Sequence, residues 1–235
     1  MADRPVLLVT GSSRGIGRHL SDHYLARGYD VVGCSRTEPQ APAPANFLHV
    51  AADLTVAADV ERLFAEIRTR FGRLDVAINN AGINSGAALS MLTSHEVATR
   101  TLMTNVLGTF AVSREAAKLM MRKKFGRIVN FSSMAARHEV EGEAIYAASK
   151  AAIQTMTRVM AKEFYRYGIT CNAIAPSAVP TDMMNSVPVK ALQEVLARNA
   201  IPEIGKMEDI SNAIDWLIRP ESQAITGQVI FLGGV

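Results

Sequence analysis

Short apolar segments rich in β-branched residues alternate with longer segments of helical spacing along the whole chain. The predicted strands are residues 6–10, 31–34, 47–51, 74–79, 127–131, 169–174 and 228–232. The predicted helices are residues 15–27, 56–71, 94–123, 144–167, 189–198 and 208–218. Continuous apolar strands separated by helices are typical of a parallel sheet covered on both faces. The pattern therefore predicts an α/β fold, a Rossmann-type doubly wound parallel sheet of about seven strands.

The alternation of strands and helices runs through the chain without interruption, which indicates the number of domains. Neither an internal repeat nor a linker divides the 235 residues, so we expect one catalytic domain over 1–235. Three prolines in 37–46 predict a connection without a helix between the second and third strands. A moderately apolar segment at about 182–205 is the candidate substrate lid.

Composition excludes several classes of function. The 25 basic and 22 acidic residues leave a net charge of +3, which is too weak a field to indicate nucleic-acid binding. No apolar run approaches the roughly 20 residues that span a bilayer, so no membrane partner is expected. Two cysteines form no disulfide framework and favour the reducing cytoplasm. His19 and His23 share a helix face but lack a third ligand, so no metal site is predicted.

A glycine-rich turn joins the first strand to the first helix. It reads T-G-S-S-R-G-I-G over 10–17. Glycines permit positive φ and close approach of a ligand to the backbone, and the helix that follows directs its N-terminus at an anion. This favours a dinucleotide whose pyrophosphate lies on the turn. The candidate contacts in the turn are Gly11, Ser13, Arg14, Gly15, Ile16 and Gly17.

The end of the second strand predicts which dinucleotide is preferred. Folds that prefer NAD usually place an acidic residue there, but this chain has Ser35 and Arg36. The nearest acid, Asp30, is at the other end of the strand, about 15 Å away at 3.3 Å per residue. Arg14 and Arg36 can pair with a 2′-phosphate and Ser35 can donate to it. NADP(H) is therefore the expected cofactor.

Tyr146 and Lys150 are candidates for acid–base chemistry. They are four residues apart near the start of a predicted helix, so they share one face. Acid–base catalysis near pH 7 requires the pKa of the tyrosine to fall by about 3 units from about 10. A neighbouring ammonium and a nicotinamide cation would lower the pKa in this direction. Ser133 follows the fifth strand, at the edge where a parallel sheet binds ligands.

Seven motifs occur in order along the chain. They are T-G-x-x-x-G-I-G at 10–17, Asp53-Leu54, N-N-A-G at 79–82, Asn105, Ser133, Y-A-A-S-K at 146–150 and N-A-I-A-P at 172–176. Over the whole chain this series resembles the classical short-chain dehydrogenases/reductases. The stretches F-G-R-I-V-N-F-S-S, Y-G-I-T-C-N-A-I-A-P and I-T-G-Q-V-I are most similar to the 3-oxoacyl-(acyl carrier protein) reductase branch.

The resemblance implies a role for each catalytic candidate. Tyr146 is the general acid that protonates the carbonyl oxygen, and Lys150 lowers its pKa and binds the nicotinamide ribose. Ser133 orients the carbonyl, with Ser132 as its rival. Asn105 kinks a helix and holds a water linked to Lys150. The implied cofactor contacts are Asp53 and Leu54 at the adenine, Asn79, Ala81 and Gly82 along the ribose and pyrophosphate, and Pro176, Val179 and Thr181 near the nicotinamide.

Two charged segments are each consistent with more than one class of substrate. The basic cluster of Arg122, Lys123, Lys124 and Arg127 is either a solvated helix end or a dock for an acidic carrier protein or coenzyme A. The substrate loop, 134–145, carries five charged or titratable residues that either face solvent or meet a polar or cationic substrate; these are Arg137, His138, Glu139, Glu141 and Glu143. The family packs the helices at 94–123 and 144–167 between subunits, so a homodimer or homotetramer is expected.

Three functions are consistent with these features. The first is NADPH-dependent reduction of a 3-oxoacyl thioester or related β-keto compound. The second is the same reaction on a small polar ketone, sugar or biosynthetic intermediate. The third is a catalytically idle NADP-binding regulator, which the complete set of Asn105, Ser133, Tyr146 and Lys150 opposes.

Overall fold

The computed structural model describes residues 4–37, 44–84, 86–185 and 189–234. The seven strands are β1 Val6–Thr10, β2 Asp30–Ser35, β3 Phe47–Ala51, β4 Val76–Asn79, β5 Gly126–Phe131, β6 Ile169–Pro176 and β7 Val229–Leu232. They form one sheet in the order β3-β2-β1-β4-β5-β6-β7, and every neighbouring pair is parallel. The predicted doubly wound α/β fold is therefore confirmed.

Nine α-helices are assigned within the described residues. They are α1 Gly15–Ala26, α2 Ala57–Phe71, α3 His95–Leu102, α4 Thr109–Met120, α5 Ala135–His138, α6 Ala144–Phe164, α7 Asp182–Asn185, α8 Val189–Leu196 and α9 Met207–Ile218. Four-residue helices such as α5 and α7 are too short to show a hydrophobic period, so the sequence did not predict them. None of the helices in the described ranges combines the length and apolar character that crossing a membrane requires.

The alternation of side chains along the strands explains the two layers of helices. Leu8, Val32 and Ile128 face one side of the sheet and pack in a core with residues of α2, α4 and α6. Leu7 and Val9 face the other side and pack with residues of α1 and α9. Both sides of β1 are completely buried, as a parallel strand covered by helices on both faces must be.

The predicted helix over 94–123 is interrupted. A π-helical segment, Met103–Gly108, separates α3 from α4, and a 3₁₀ turn ends α4. Asn105 lies in the π segment and is 1% exposed. The interruption coincides with the residue for which a kink was expected, and π-helical bulges occur frequently at functional sites.

Two predicted features fall partly outside the described residues. Residues 38–43 of the proline-rich connection over 37–46 lie outside the described residues, and so do residues 186–188 of the lid over 182–205. The described part of the lid contains α7, α8 and a following segment that is hydrogen-bonded back to the sheet: the Ile201 amide donates to the carbonyl oxygen of Gly233 at 2.8 Å.

The structure corrects the membership of the basic cluster. Arg127 is 1% exposed, and its guanidinium donates to the carbonyl oxygens of Gly126, Arg219 and Pro220 at 2.9–3.3 Å. Burial of the group lowers its pKa. Arg127 is the second residue of β5, and its side chain points to the end of α9 instead of to the surface. Arg122, Lys123 and Lys124 are exposed.

Candidate active site

A cleft opens at the carboxyl ends of the central strands. The sheet order reverses direction between β1 and β4, and open parallel sheets bind ligands in the crevice that such a reversal creates. The cavity has a volume of about 200 Å³. Its lining includes these predicted site residues: Ile16, Gly82, Ser133, Tyr146, Lys150, Pro176, Val179 and Thr181.

Two hydroxyl groups meet in this cleft. Ser133 follows β5, and its Oγ accepts a hydrogen bond from the Ala135 amide at 3.1 Å. The Ser133 and Tyr146 side chains line the same cleft, and the Ser133 hydroxyl acts to lower the pKa of Tyr146. Ser132 faces away from Tyr146: its Oγ donates to the Lys150 carbonyl oxygen at 3.0 Å and accepts from Gln154 at 2.9 Å. Ser133 is thus the serine that can hold an oxygen beside Tyr146.

The pKa of Tyr146 is raised in the protein alone. It lies at about 12, chiefly because of burial; the Ser133 hydroxyl acts to lower it and the Glu143 carboxylate to raise it. The expected lowering combined a neighbouring ammonium with a nicotinamide cation, so it concerns the protein with its cofactor and stays a prediction.

Lys150 lies one turn further along α6 with its ammonium in the interior. Its Nζ donates to the Phe131 carbonyl oxygen at 2.9 Å and lies 5.8 Å from the centre of the Tyr146 ring. Burial lowers its pKa to about 8. An ammonium with that pKa can exchange a proton near physiological pH, which suits a group that restores the proton of a neighbouring acid.

Asn105 fixes the backbone that faces Lys150. Its Oδ1 accepts from the Ile83 amide at 2.8 Å, and its Nδ2 donates to the Ile83 carbonyl oxygen at 2.9 Å and to Ser149 Oγ at 3.0 Å. A Cβ atom on Gly82 would lie 3.3 Å from both Asn105 Oδ1 and Lys150 Nζ. The chain therefore passes closely between these two side chains, and a larger residue at position 82 would require them to shift.

The glycine-rich turn is tightly packed against the sheet. Gly11 has a φ of +70°, and a Cβ on Gly17 would lie 2.0 Å from the Gly11 carbonyl oxygen. Arg14 makes no capping hydrogen bond from its side chain, and the first turn of α1 holds no acidic residue. The first amides of α1 are thus without a side-chain acceptor, which is the arrangement that binds a phosphate at a helix N-terminus.

The residues expected at a 2′-phosphate surround one side of that turn. Arg36 is exposed at the end of β2, and Ser35 Oγ donates to the Thr37 carbonyl oxygen at 2.8 Å. His49 Nε2 lies 2.9 Å from Ser35 Oγ. Asp30 is at the opposite end of β2, paired with Arg4 at 3.9 Å. Sequence reasoning missed His49, although β3 was predicted; the parallel register that brings it to Ser35 was not predicted.

Asp53 and Leu54 follow β3. The Asp53 carboxylate accepts from the Thr55 amide at 2.9 Å and the Thr55 hydroxyl at 2.7 Å, which fixes the turn before α2. Leu54 packs against the core formed with α4. Both remain half-buried. The arrangement leaves them near the end of the sheet where an adenine was expected.

The side chain of Asn79 does not reach the cleft. It is 2% exposed, and its Nδ2 donates to Ser113 and Asn130, both at 2.8 Å. A contact of Asn79 with a ribose stays a prediction, and its backbone would have to make that contact, because the side chain lies within β4 and faces the helices. Its neighbour Asn80, which sequence reasoning missed, lines the cleft and donates to the Thr10 carbonyl oxygen at 2.9 Å.

The next residues of the N-N-A-G motif continue along the turn. The Ala81 amide donates to Thr10 Oγ1 at 3.0 Å, which holds the segment after β4 against the end of β1. On the other side of the cleft, Thr181 lies beside the glycine-rich turn, 3.5 Å from where a Cβ of Gly15 would be. Pro176 ends β6 and Val179 is 8% exposed. These contacts bring the glycine turn and the lid together.

The charged substrate loop divides into two parts. Arg137, Glu139 and Glu141 are exposed, as the solvent-facing alternative requires. Glu143 lines the cleft and accepts from Asn84 Nδ2 at 2.9 Å. Asn84 was not predicted as a site residue, since an asparagine shortly after a strand carries no distinctive signal.

His138, the histidine of this loop, is hydrogen-bonded to the lid. His138 Nε2 lies 2.8 Å from Asn199 Oδ1, and Asn199 Nδ2 donates to Ser177 Oγ at 2.7 Å. Arg198 also donates to the carbonyl oxygen of His138. These bonds join the segment after α8 to both walls of the cleft.

The histidine pair on α1 has structural partners. His23 lies 3.1 Å from Asp215 of α9, and His19 lies 3.4 Å from Ser211 Oγ. In the described part of the chain, no three His, Cys, Asp or Glu side chains are placed to share a metal ion. These contacts join α1 to α9.

Comparison with known proteins identifies the family. Residues 5–191 match the family described as short chain dehydrogenase. The chain is 32% identical over 234 residues to the 3-oxoacyl-[acyl-carrier-protein] reductase FabG of Escherichia coli (strain K12), covering 97% of this chain and 96% of that protein. It is 34% identical over 249 residues to the short-chain reductase protein NovJ of Streptomyces niveus, covering 100% and 94%.

Solved structures show the same similarity. A variant of actinorhodin polyketide ketoreductase with NADPH superposes with a TM-score of 0.89 at 28% identity, covering 100% of this chain and 97% of that one. ElxO with NADP bound superposes with a TM-score of 0.88 at 27% identity, covering 97% and 96%. The chain therefore belongs to the short-chain dehydrogenases, a family of oxidoreductases.

Proposed function

We propose that this protein reduces a ketone to a secondary alcohol with NADPH, and that the substrate is a 3-oxoacyl thioester or a related β-keto compound. One observation carries the proposal: the Ser133 and Tyr146 hydroxyls line one cleft beside the buried ammonium of Lys150. Two hydroxyls on the wall of one cleft provide a place where a single carbonyl oxygen can accept from both.

Tyr146 donates the proton in this mechanism. Its O–H bond breaks as the C=O π bond opens, and the proton goes to the carbonyl oxygen that Ser133 holds in position. When bound, NADPH supplies the hydride that forms the new C–H bond. The tyrosinate that remains is stabilised by the Lys150 ammonium, which lies on the same side of α6. Asn105 keeps the backbone beside Lys150 in place.

The cofactor proposal rests on the glycine-rich turn and its charges. The uncapped first turn of α1 fits the pyrophosphate, with Gly11, Ser13, Gly15, Ile16 and Gly17 at its approach. Arg14, Ser35 and Arg36 supply positive charge and a hydroxyl for the 2′-phosphate. Asp53, Leu54, Ala81 and Gly82 extend the site towards the adenosine, and Pro176, Val179 and Thr181 border its nicotinamide end. The actinorhodin ketoreductase and ElxO structures carry NADPH and NADP, respectively.

The substrate proposal rests on the lid and on the relatives. Met184, Leu192 and Val195 give the cleft an apolar wall that suits a short acyl chain. FabG, at 32% identity, is a 3-oxoacyl-[acyl-carrier-protein] reductase. We place the lid at about 182–205 within one catalytic domain over 1–235. The two buried free thiols, Cys34 and Cys171, suit a cytoplasmic enzyme.

A carrier-bound substrate is proposed together with a homodimer or homotetramer. Lys124 precedes β5 and Ser133 follows it, so the basic residues lie at the opposite end of a strand that spans about 17 Å at 3.3 Å per residue. A carrier docked on Arg122, Lys123 and Lys124 therefore has to bring its substrate more than that distance to Ser133 of the same subunit.

The proposal is tested by following NADPH absorbance with 3-oxoacyl thioesters, free β-keto esters and simple ketones. Wild-type protein is expected to oxidise NADPH with at least one β-keto thioester. In Tyr146→Phe, kcat is expected to fall about 10²–10⁴-fold while NADPH still binds, because only the proton donor is removed. Tyr165→Phe, which changes an exposed tyrosine after α6, is the matched control. A Tyr146→Phe protein with more than a third of wild-type activity contradicts the mechanism.

A further inference from the structure

We propose that Glu143 makes this cleft selective for ketones that carry a protonated amine on the α- or β-carbon, next to the carbonyl or one carbon beyond it. The inference rests on the proposed function, because it takes the carbonyl oxygen to lie between Ser133 and Tyr146. It narrows the substrate to a cationic class that neither the family nor the fold specifies.

Glu143 stands where two cavities meet. The catalytic cleft of about 200 Å³ is adjoined by a second cavity of about 170 Å³, and both are lined by Asn84, Glu143 and Tyr146. Among the described residues that line either cavity, Glu143 and Lys150 alone carry charge. Lys150 is directed to the Phe131 carbonyl oxygen. A substituent that extends past Tyr146 therefore meets a carboxylate and otherwise uncharged walls.

The carboxylate of Glu143 is only partly satisfied. Its Oε1 accepts from Asn84 Nδ2 at 2.9 Å, and within the described ranges no group donates to Oε2. A half-buried carboxylate has capacity for several hydrogen bonds and loses solvation when a ligand fills the cleft. An ammonium group restores that interaction with a charge-assisted hydrogen bond, whereas an alkyl group leaves the charge unpaired and a carboxylate is repelled.

Glu143 lies close to the group that holds the carbonyl. It immediately precedes α6, three residues before Tyr146, and both residues line the same two cavities. The Glu143 carboxylate raises the pKa of Tyr146, as a nearby negative charge does. We therefore assign the amine to a carbon close to the carbonyl, the α- or β-carbon.

The other charges of the loop do not share this role. Arg137, Glu139 and Glu141 are exposed and line neither cavity, and His138 is bonded to Asn199. The preference is therefore assigned to one residue. Glu141 carries the same charge two residues away in the same loop, which makes it the matched control.

The test compares two ketones of nearly equal shape. Aminoacetone and butan-2-one differ by an ammonium in place of a methyl group. With NADPH and wild-type protein, kcat/KM is expected to be about tenfold or more higher for aminoacetone, as one charge-assisted hydrogen bond supports. Glu143→Gln keeps the length of the side chain and is expected to bring the ratio to within about threefold of one. Glu141→Gln is expected to retain the wild-type ratio.

A wild-type ratio near one, or an unchanged ratio in Glu143→Gln, overturns the inference while ketone reduction itself stands. If no ketone is reduced, the proposed function fails, and calorimetry still decides the inference. Titration of the purified protein with 1-aminopropan-2-ol and with butan-2-ol then compares the same pair of groups. The inference is supported if the amine binds about tenfold more tightly than butan-2-ol and if this difference is lost in Glu143→Gln but kept in Glu141→Gln. Equal dissociation constants for the two alcohols overturn the inference.

Discussion

Arg14 Nη1 lies 3.1 Å from Asp182 Oδ2, so the glycine-rich turn before α1 is paired with the first residue of α7 in the lid. Both side chains are largely exposed, at 76% and 68%. Arg14 is also one of two arginines proposed to bind the 2′-phosphate. The Asp182 carboxylate and the phosphate therefore compete for one guanidinium.

Removing this competitor is expected to favour NADPH. Asp182→Asn is predicted to lower the KM for NADPH about two- to threefold, because an exposed ion pair contributes about 0–1 kcal/mol. The KM for NADH is expected to stay within about 1.5-fold, since NADH has no 2′-phosphate. Steady-state kinetics with both cofactors measures this. An equal change for NADH and NADPH indicates that Asp182 acts on the lid and not on Arg14.

Cofactor preference is expected to depend on two arginines. Wild-type protein is predicted to have a KM at least tenfold lower for NADPH than for NADH, since hydrogen bonds to charged groups contribute about 1.5–3 kcal/mol. The double variant Arg14→Ala, Arg36→Asp is predicted to invert that preference. Arg18→Ala, on the exposed side of α1 and paired with Asp22, is the control. If the double variant still prefers NADPH, the phosphate binds elsewhere.

The fold could be predicted because strong local signals coincide with the sheet. The apolar β-branched run 6–10 became a strand with the predicted bounds, since a buried parallel strand is apolar on both faces. Residues 47–51 also have the predicted bounds, although they form a half-buried edge strand. The interruption at Met103–Gly108 could not be predicted from periodicity, because a π-helical segment shifts the register by only one residue. It followed instead from the resemblance, which implied a kink at Asn105.

Motif order was enough to predict that Ser133, Tyr146 and Lys150 would share one cleft. It was not enough where the site depends on which way a side chain points. Asn79 and Asn80 are adjacent and chemically identical, yet one faces Ser113 within the layers and the other lines the cleft. Successive residues at a strand end face opposite sides, and the sequence alone does not say which side holds the ligand.

These two asparagines give a direct test of that distinction. Asn79→Ala removes donors to Ser113 and Asn130 in the interior and is predicted to cost about 1–3 kcal/mol of stability. For a chain of this size that lowers Tm by about 3–10 °C. Its KM for NADPH is expected to stay within twofold. Thermal denaturation and steady-state kinetics measure both effects.

Asn80→Ala, its matched neighbour, is expected to show the reverse pattern. Asn80 Nδ2 donates to the Thr10 and Gly11 carbonyl oxygens and so holds the glycine-rich turn. Its loss is predicted to raise the KM for NADPH about three- to tenfold, because the turn is no longer fixed. If Asn79→Ala raises that KM more than Asn80→Ala does, the structural role given to the Asn79 side chain is itself wrong.

The pH dependence of alcohol oxidation is predicted to respond to Glu143. In the proposed mechanism oxidation requires the tyrosinate form of Tyr146, so the rate is expected to rise as pH passes the pKa of that group in the ternary complex. Glu143 raises this pKa, and Glu143→Gln removes the negative charge. The rising limb of kcat against pH is therefore expected to move to lower pH in Glu143→Gln and to stay in place in Glu141→Gln. A shift to higher pH contradicts the assigned direction.

The basic cluster after α4 is predicted to act only on carrier-bound substrates. Lys123→Glu, Lys124→Glu is expected to raise the KM for a 3-oxoacyl carrier protein several-fold and to leave that for a small thioester mimic unchanged, because these residues lie at the edge of the sheet remote from Ser133. The carrier-dependent rate is also expected to fall with salt, since charges are screened beyond about 10 Å at 0.1 M. Steady-state kinetics at two salt concentrations measures both effects. If the two substrates respond alike, the cluster is a solvated helix end, and substrate choice is left to the cleft and its carboxylate at Glu143.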